Sequence, residues 1–303
     1  MRVTPNITSQ NSLYNIQQSR TILNNLQEKI ASGKNINRPS DDPVSSRLLL
    51  GLNDNLTATQ QYNSNITKAD IWLNMTNTAL NGMHSYVNQA KSLVSSIVSG
   101  TTDPNIQNNA IDQLKAIKQQ LLDMGNTQLN GIYLFGGGTT SPSPFHTGAA
   151  PYYRGDETQL NIEIGQEMTE TMNLVGSQVL TPDEATSQPF GTTNILKTID
   201  DLINTLTTDP TNTAAIQAGS EALYAGGLQL ERAISTVATR LTRLDSAQTM
   251  NNNTKNTLLT IFDNIQSADY AELGVKLTQQ QTAFEATLSS TAKISQMSLL
   301  DYL

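Results

Sequence analysis

Two stretches of this chain repeat apolar residues every seventh position, and that repeat constrains the fold more than any other feature. Leu52, Ile66, Leu73, Leu80, Val87 and Val94 share one register, interrupted only at Thr59. Ile216, Leu223, Leu230, Val237, Leu244, Leu258 and Ile265 share a second, interrupted only at Asn251. A period of seven brings each set onto one face of an α-helix. A helix over 45–99 would run to roughly 80 Å at 1.5 Å per residue. A stripe that long is unfavourable in water, so the helices near 45–99 and 212–266 are expected to pair. They lie on either side of the chain's middle, and the pairing nests everything between them.

Weaker helical patterns flank and interrupt this pair. Near the N-terminus Ile16, Leu23 and Ile30 stand seven apart, with Leu26 at the companion position beside Ser12 and Ser19. Near the C-terminus an acidic start at Asp269 with Glu272 reads as a capping box, followed by Leu273, Leu277, Phe284, Leu288 and Leu299. Leu277, Leu288 and Leu299 are eleven apart, a spacing that suits a nearly straight helix. Shorter helices are expected over 104–124 and 193–206. Between them Gly and Pro crowd the chain, and two alternating runs, 160–164 and 168–174, predict a hairpin turning at Gly165-Gln166-Glu167.

The fold class expected is mainly α with a small β-rich insertion, a long antiparallel helical rod formed from both chain ends. The domains expected are 1–42 plus 268–303 as terminal coiled-coil helices, 43–135 plus 184–267 as the rod, and 136–183 as a β-rich part. The terminal pair mixes polar residues into its seam, so it is expected to be disordered in the monomer and to fold against neighbouring subunits. Ile16, Leu23, Leu26, Ile30, Leu273, Leu277, Phe284, Leu288 and Leu299 are the assembly interface this implies.

Composition narrows the chemistry. About 39% of the residues are Asn, Gln, Ser or Thr and only 15% are charged, against about 25% in average domains. With no cysteine, disulfides, thiolate nucleophiles and cysteine-held metals are excluded. A net charge of −8 with scattered lysines and arginines argues against nucleic acid as a partner. Apolar runs such as Leu48-Leu49-Leu50 are far below the ~20 residues that span a bilayer, so no membrane is expected. The N-terminal residues lack the apolar core of a cleaved signal peptide, which by itself suggests a cytoplasmic protein.

Candidate sites are sparse. His84 and His146 are far apart in sequence and read as structural or surface residues. Gly136-Gly137-Gly138 has no following Gly-Lys-Ser/Thr, so a turn is expected in place of a phosphate cradle. Asp41-Asp42-Pro43 could pair carboxylates, but Asp42 as N-cap with Pro43 at the first helical position is the stronger reading. Trp72 reads as packing or as a subunit contact. A hydrolase working through Glu163 and Asp156 is the weak enzymatic alternative. No catalytic residue, cofactor or metal is expected.

The run from Leu26 to Asn37, containing Ser32-Gly33-Lys34 and followed by Arg38-Pro39-Ser40-Asp41-Asp42-Pro43, resembles the flagellin superfamily. So does the C-terminal run Leu277-Thr278-Gln279-Gln280-Gln281-Thr282-Ala283-Phe284 with its continuation from Ala292 to Leu303. The opening Met1-Arg2-Val3-Thr4, the closing Leu299-Leu300-Asp301-Tyr302-Leu303, the segment 131–137 and Tyr153-Arg154-Gly155-Asp156 are most similar to the hook–filament junction branch of that superfamily. The resemblance implies that Asp41, Asp42 and Pro43 start the helix between terminal and rod domains, and that the β-rich part, 136–183, faces outward. It implies a ring of about eleven copies, closed by repeated contacts between identical chains. The partners implied are the first hook-associated junction protein, flagellin, the chain itself and a cytosolic export chaperone. It also implies export through the flagellar type III apparatus to an extracellular site, in place of the cytoplasmic reading. A self-polymerising filament subunit of the flagellin type is the alternative within the superfamily.

Overall fold

A computed structural model describes residues 5–98, 104–148 and 150–300. It contains helices α1 (Pro5–Ser32), α2 (Pro43–Val98) and α3 (Pro104–Gly125), then strands β1 (Gln128–Leu129), β2 (Ile132–Tyr133), β3 (Asn161–Gly165) and β4 (Met168–Thr171). A short helix α4 (Gly176–Leu180) and a 3-10 turn (Pro182–Glu184) lead to α5 (Ile195–Thr208), α6 (Thr213–Gln266) and α7 (Tyr270–Leu300). The protein is mainly α with a small β insertion, the class its heptads predict. The chain divides into two compact units, a terminal unit of 1–58 with 253–303 and a central unit of 59–252. Both α2 and α6 contribute residues to each.

The core of the central unit is built from the two heptad stripes. Ile66, Leu73, Leu80, Val87 and Val94 of α2 and Ile216, Leu223, Leu230, Val237 and Leu244 of α6 are buried in one cluster. Leu114 and Leu121 of α3 and Ile195, Ile199, Leu202 and Leu206 of α5 join it. Trp72 is buried there too. Helix α5 approaches α6 through small residues seven apart. A Cβ at Gly226 would lie 2.8 Å from Ile195 Cγ1, and one at Gly219 would overlap the Leu202 side chain. Ala233 continues the same spacing and is buried. Each helical glycine costs about 1 kcal/mol relative to Ala, which close packing of α5 offsets.

The two breaks in the heptads are buried polar residues, Thr59 and Asn251. Asn251 donates Nδ2–H to the carbonyl of Ile164 at 2.9 Å. One turn of chain away on α2, Asn65 Nδ2 donates to the Glu163 carbonyl at 2.9 Å, and Asn63 Nδ2 to Asn252 Oδ1 at 3.0 Å. The interruption in the α6 stripe is therefore where the β3–β4 hairpin seats. A buried amide at such a position fixes register because its carbonyl partner has one location.

The antiparallel β3–β4 hairpin pairs Asn161 with Thr171 and Gly165 with Met168, with an irregularity between Glu163 and Gly165. The turn is Gln166-Glu167, Glu167 having φ 58°, so Gly165 belongs to the strand and not to the turn. The second strand ends at Thr171 and not at Leu174, because Arg240 Nη1 draws the carbonyls of Thr171 and Asn173 (3.1 and 2.8 Å). Glu170, in phase with the apolar alternation, is buried beside Arg243 Nε (3.2 Å) and Arg240 Nε (3.9 Å). The β1–β2 hairpin is an addition to the sequence reading. Its turn, Asn130-Gly131, has φ 53° and 82°, the left-handed pair a tight hairpin turn demands.

Surface hydroxyls on the long helices turn back on their own backbone. Thr67, Thr78, Thr236, Thr257 and Thr278 each donate to the carbonyl four residues earlier, at 2.9–3.0 Å. Among the described residues no helix is long and apolar enough to cross a membrane.

Candidate assembly interface

The terminal unit is organised by a turn and two caps. Helix α1 stops at Gly33, whose φ of 69° lies in the left-handed region and whose N–H reaches the Lys29 carbonyl (2.9 Å). The positive φ favours glycine here, and a Cβ would also push on the Tyr270 hydroxyl at 2.6 Å. The Ser32 hydroxyl accepts from Lys34 N–H at 3.2 Å. The next residues pair with the chain entering α7: Asn35 N–H donates to Gln266 O (2.7 Å) and Ala268 N–H to Gly33 O (3.0 Å). The Ser-Gly-Lys motif thus joins the end of α1 to the start of α7, and α1 and α7 pack on each other.

Asp41, Asp42 and Pro43 form the entrance to α2. Asp41 Oδ2 accepts from Arg38 N–H (2.9 Å) and Asn37 N–H (3.1 Å), closing the loop before the helix. Asp42 accepts from Val44 and Ser45 N–H (3.1 Å each) and from the Ser45 hydroxyl (2.6 Å), and Pro43 is the first helical residue. These donors favour the ionised forms: the Arg38 amide holds the Asp41 carboxyl below its ordinary range, and the Ser45 hydroxyl does so for Asp42. Arg38 also grips Glu28 through both oxygens (3.0 and 3.2 Å). Both side chains are well exposed, so this pair contributes at most about 1 kcal/mol. Asp269 caps α7 through Ala271 and Glu272 N–H (2.9 and 3.2 Å). Glu272 turns away from the cap to Lys276 (2.6 Å), so the box proposed from sequence is a one-sided cap.

The apolar side chains of this unit are only partly covered. Ile16, Leu23, Leu26 and Ile30 on α1 and Leu277 and Phe284 on α7 are half-buried; Leu273 is buried. Leu288 is exposed at 42%. The side chain of Leu299 lies outside the described residues, as do 301–303 and 1–4. The heptad reading missed Leu13, Tyr14, Ile22 and Val275, which also face outward on α1 and α7. Their signal was available as apolar residues off the register.

In the central unit the residues with possible chemistry are occupied by structure. Gly138 N–H binds Asp156 Oδ1 at 2.6 Å, and a Cβ at Gly137 (φ 68°) would overlap Asp156. The glycine turn thus cradles an anion after all, and the anion is the chain's own carboxylate. Asp156 ionises more readily than an ordinary aspartate, the Gly138 and Thr158 amides outweighing its partial burial, the largest single influence. Glu163 is exposed on the hairpin. His84 lies 3.2 Å from Glu231 Oε1 and links α2 to α6. His146 does more than meet solvent: Nδ1 accepts from Gly148 N–H (2.9 Å) and Nε2 donates to Pro151 O (2.7 Å), closing its loop. Among the described residues no three His, Asp or Glu stand together as a metal site.

Residues 3–140 match the bacterial flagellin N-terminal helical region. Flagellar hook-associated protein 3 of Salmonella typhimurium (strain LT2) is 21% identical over 313 aligned positions, covering 99% of this chain and 98% of the relative. Among solved structures, a Vibrio parahaemolyticus protein assigned to the flagellar hook-associated proteins superposes with a TM-score of 0.67 at 21% identity, over 75% of this chain and 100% of that one. The flagellar junction protein FlgL of Legionella pneumophila gives 0.57 at 16% identity, over 72% and 99%. With its Ser-Gly-Lys turn, its Asp-Asp-Pro helix start and relatives that align with it from end to end, the chain is similar to the flagellin N-terminal region over 3–140 and to flagellar hook-associated protein 3 along its length.

Proposed function

We propose that this chain is a structural adaptor of the bacterial flagellum, joining the hook to the flagellin filament. The observation that carries the proposal is the terminal unit's surface: α1 and α7 pack on each other, yet leave Leu13, Tyr14, Ile22, Val275 and Leu288 in water. Burying one such side chain stabilises by about 1.5–3 kcal/mol, so a neighbour that covers the stripe gains substantially. Neighbouring copies cover it in a closed ring of about eleven subunits, with the first hook-associated junction protein on one side and flagellin on the other. In the free monomer the terminal helices, 1–42 and 268–303, are disordered, and the rod of 43–135 with 184–267 carries the β-rich part, 136–183, outward. The chain reaches its extracellular site through the flagellar export apparatus with a cytosolic chaperone. Full-length relatives named for hook association support the adaptor role over a filament subunit.

The test is Leu288→Asp in full-length protein. It should abolish incorporation at hook tips while leaving the thermal melting of the free protein unchanged. Normal filaments on cells carrying the variant would overturn the assembly role. The flagellin alternative is favoured by the family match over 3–140. Long filaments grown by the pure protein with ammonium sulfate or seeds would establish it in place of the adaptor.

A further inference from the structure

A groove in the central unit has a chemistry that the assembly role leaves unused. It is a cavity of about 570 Å³ between α6, the segment leaving β4 and the loop before Phe190. Arg232 and Arg240 lie along its α6 wall, eight residues apart and so about 12 Å along the helix. The lining contains no carboxylate, although acidic residues outnumber basic ones 26 to 18 in the chain. Arg243 lies beside Arg240, and the buried Glu170 between them (3.2 Å from Arg243 Nε, 3.9 Å from Arg240 Nε) offsets one of their two charges, so the surplus is positive. Glu157, near the loop, is already bonded to Thr186 N–H (2.8 Å) and the Ser177 hydroxyl (3.3 Å).

Both guanidiniums are fixed by carbonyls of the groove's own walls. Arg240 holds Thr171 O and Asn173 O, while Arg232 Nη1 holds Phe190 O at 2.8 Å. A guanidinium has five N–H donors, so Arg232 keeps most of its capacity while its orientation is set. Main-chain groups beside the groove are used within the fold: Asn173 Oδ1 accepts from Leu160 N–H and its Nδ2 donates to Thr158 O, both at 2.9 Å, and the carbonyls of Thr171, Asn173 and Phe190 are held by the arginines. An added peptide strand would find none of these main-chain groups open to it. What the groove offers is side-chain donors, with the exposed Gln159 and Ser235 beside the arginines.

We propose that this groove binds an acidic oligosaccharide, with Arg232 and Arg240 receiving its carboxylates and Gln159 and Ser235 its hydroxyls. Calorimetric titration of the full-length chain tests it with three probes: a polyuronate hexamer, cellohexaose and hexaglutamate. The polyuronate should bind saturably and lose affinity on raising the salt. Arg232→Gln should weaken it about tenfold, the loss of one charge-assisted hydrogen bond. Gln159→Ala removes no bond to the fold and should weaken it about threefold with unchanged thermal melting. Cellohexaose, without carboxylates, should bind at least about tenfold more weakly. Absence of saturable polyuronate binding overturns the proposal, as does affinity unchanged in both variants. Hexaglutamate binding as tightly as the polyuronate overturns it too, in favour of an acidic peptide.

Discussion

The two units use the same heptad grammar to opposite ends. In the central unit the stripe residues of α2 and α6 are buried against each other and against α3 and α5. Among the described residues of the terminal unit the buried apolar ones are Ile36, Leu49, Leu52, Leu56 and Leu273, and eleven of the sixteen exposed large apolar residues described belong to it. The difference lies in the number of layers available. The central stripes have third and fourth helices to cover them, whereas α1 and α7 have each other. A seven-residue repeat thus specifies that a face must be covered, and not by which chain.

The comparison can be broken most directly with core truncations. Leu223→Ala, at a fully buried site, should destabilise the central unit by about 2–5 kcal/mol in urea unfolding. Leu26→Ala, at a half-buried site, should cost the free protein under about 1 kcal/mol. Equal losses would show the terminal unit to be packed as a finished core. Next in size is Asn251→Leu, which repairs the heptad on paper. It strands the Ile164 carbonyl, so it should destabilise by about 1–3 kcal/mol, measured by the same unfolding curves.

Glycine replacement sharpens the contrast. Gly226→Ala meets Ile195 and should cost about 1 kcal/mol or more despite the better helix former. Gly274→Ala in α7 meets nothing within 4 Å, so it should leave the thermal melt of the free protein unchanged where Gly226→Ala lowers it. It should instead raise the helicity of the terminal segment in circular dichroism, by the propensity difference of about 1 kcal/mol. The smallest effect is acid sensitivity. The Asp41 and Asp42 carboxyls are lowered on folding, so their contribution is complete above the ordinary value of 3.8. It is lost as pH falls through the lowered values. Protection of the Val44 and Ser45 amides relative to their intrinsic exchange rates should fall below about pH 4 in wild type and stay constant there in Asp42→Asn.

Much of the fold was legible because heptads and caps are local signals. The α2 start at Pro43, the α6 stripe and the hairpin near 161–171 follow from spacing and from residues such as Asp42. The Asn130-Gly131 turn is an equally local signal, masked by the glycine-rich segment that follows it. What spacing could not supply is the set of long-range polar contacts. Gln229, fully buried on α6, donates to Val179 O (2.6 Å) and accepts from Thr193 N–H (3.2 Å). Nothing near Gln229 in the sequence announces partners 50 and 36 residues away. At the candidate interface, periodicity found the half-buried seam but not the outward residues, since a helix face awaiting a neighbour from another chain carries no partner in its own sequence.

The threonines that bond back to their own helices bear on how such faces can be covered at all. A hydroxyl whose proton is already given to the carbonyl four residues earlier presents its methyl outward. Water lost from such a surface leaves few donors stranded, so the desolvation penalty for contact is small. A helix written in threonine can therefore stay wetted while it travels and be dried at little cost when it arrives.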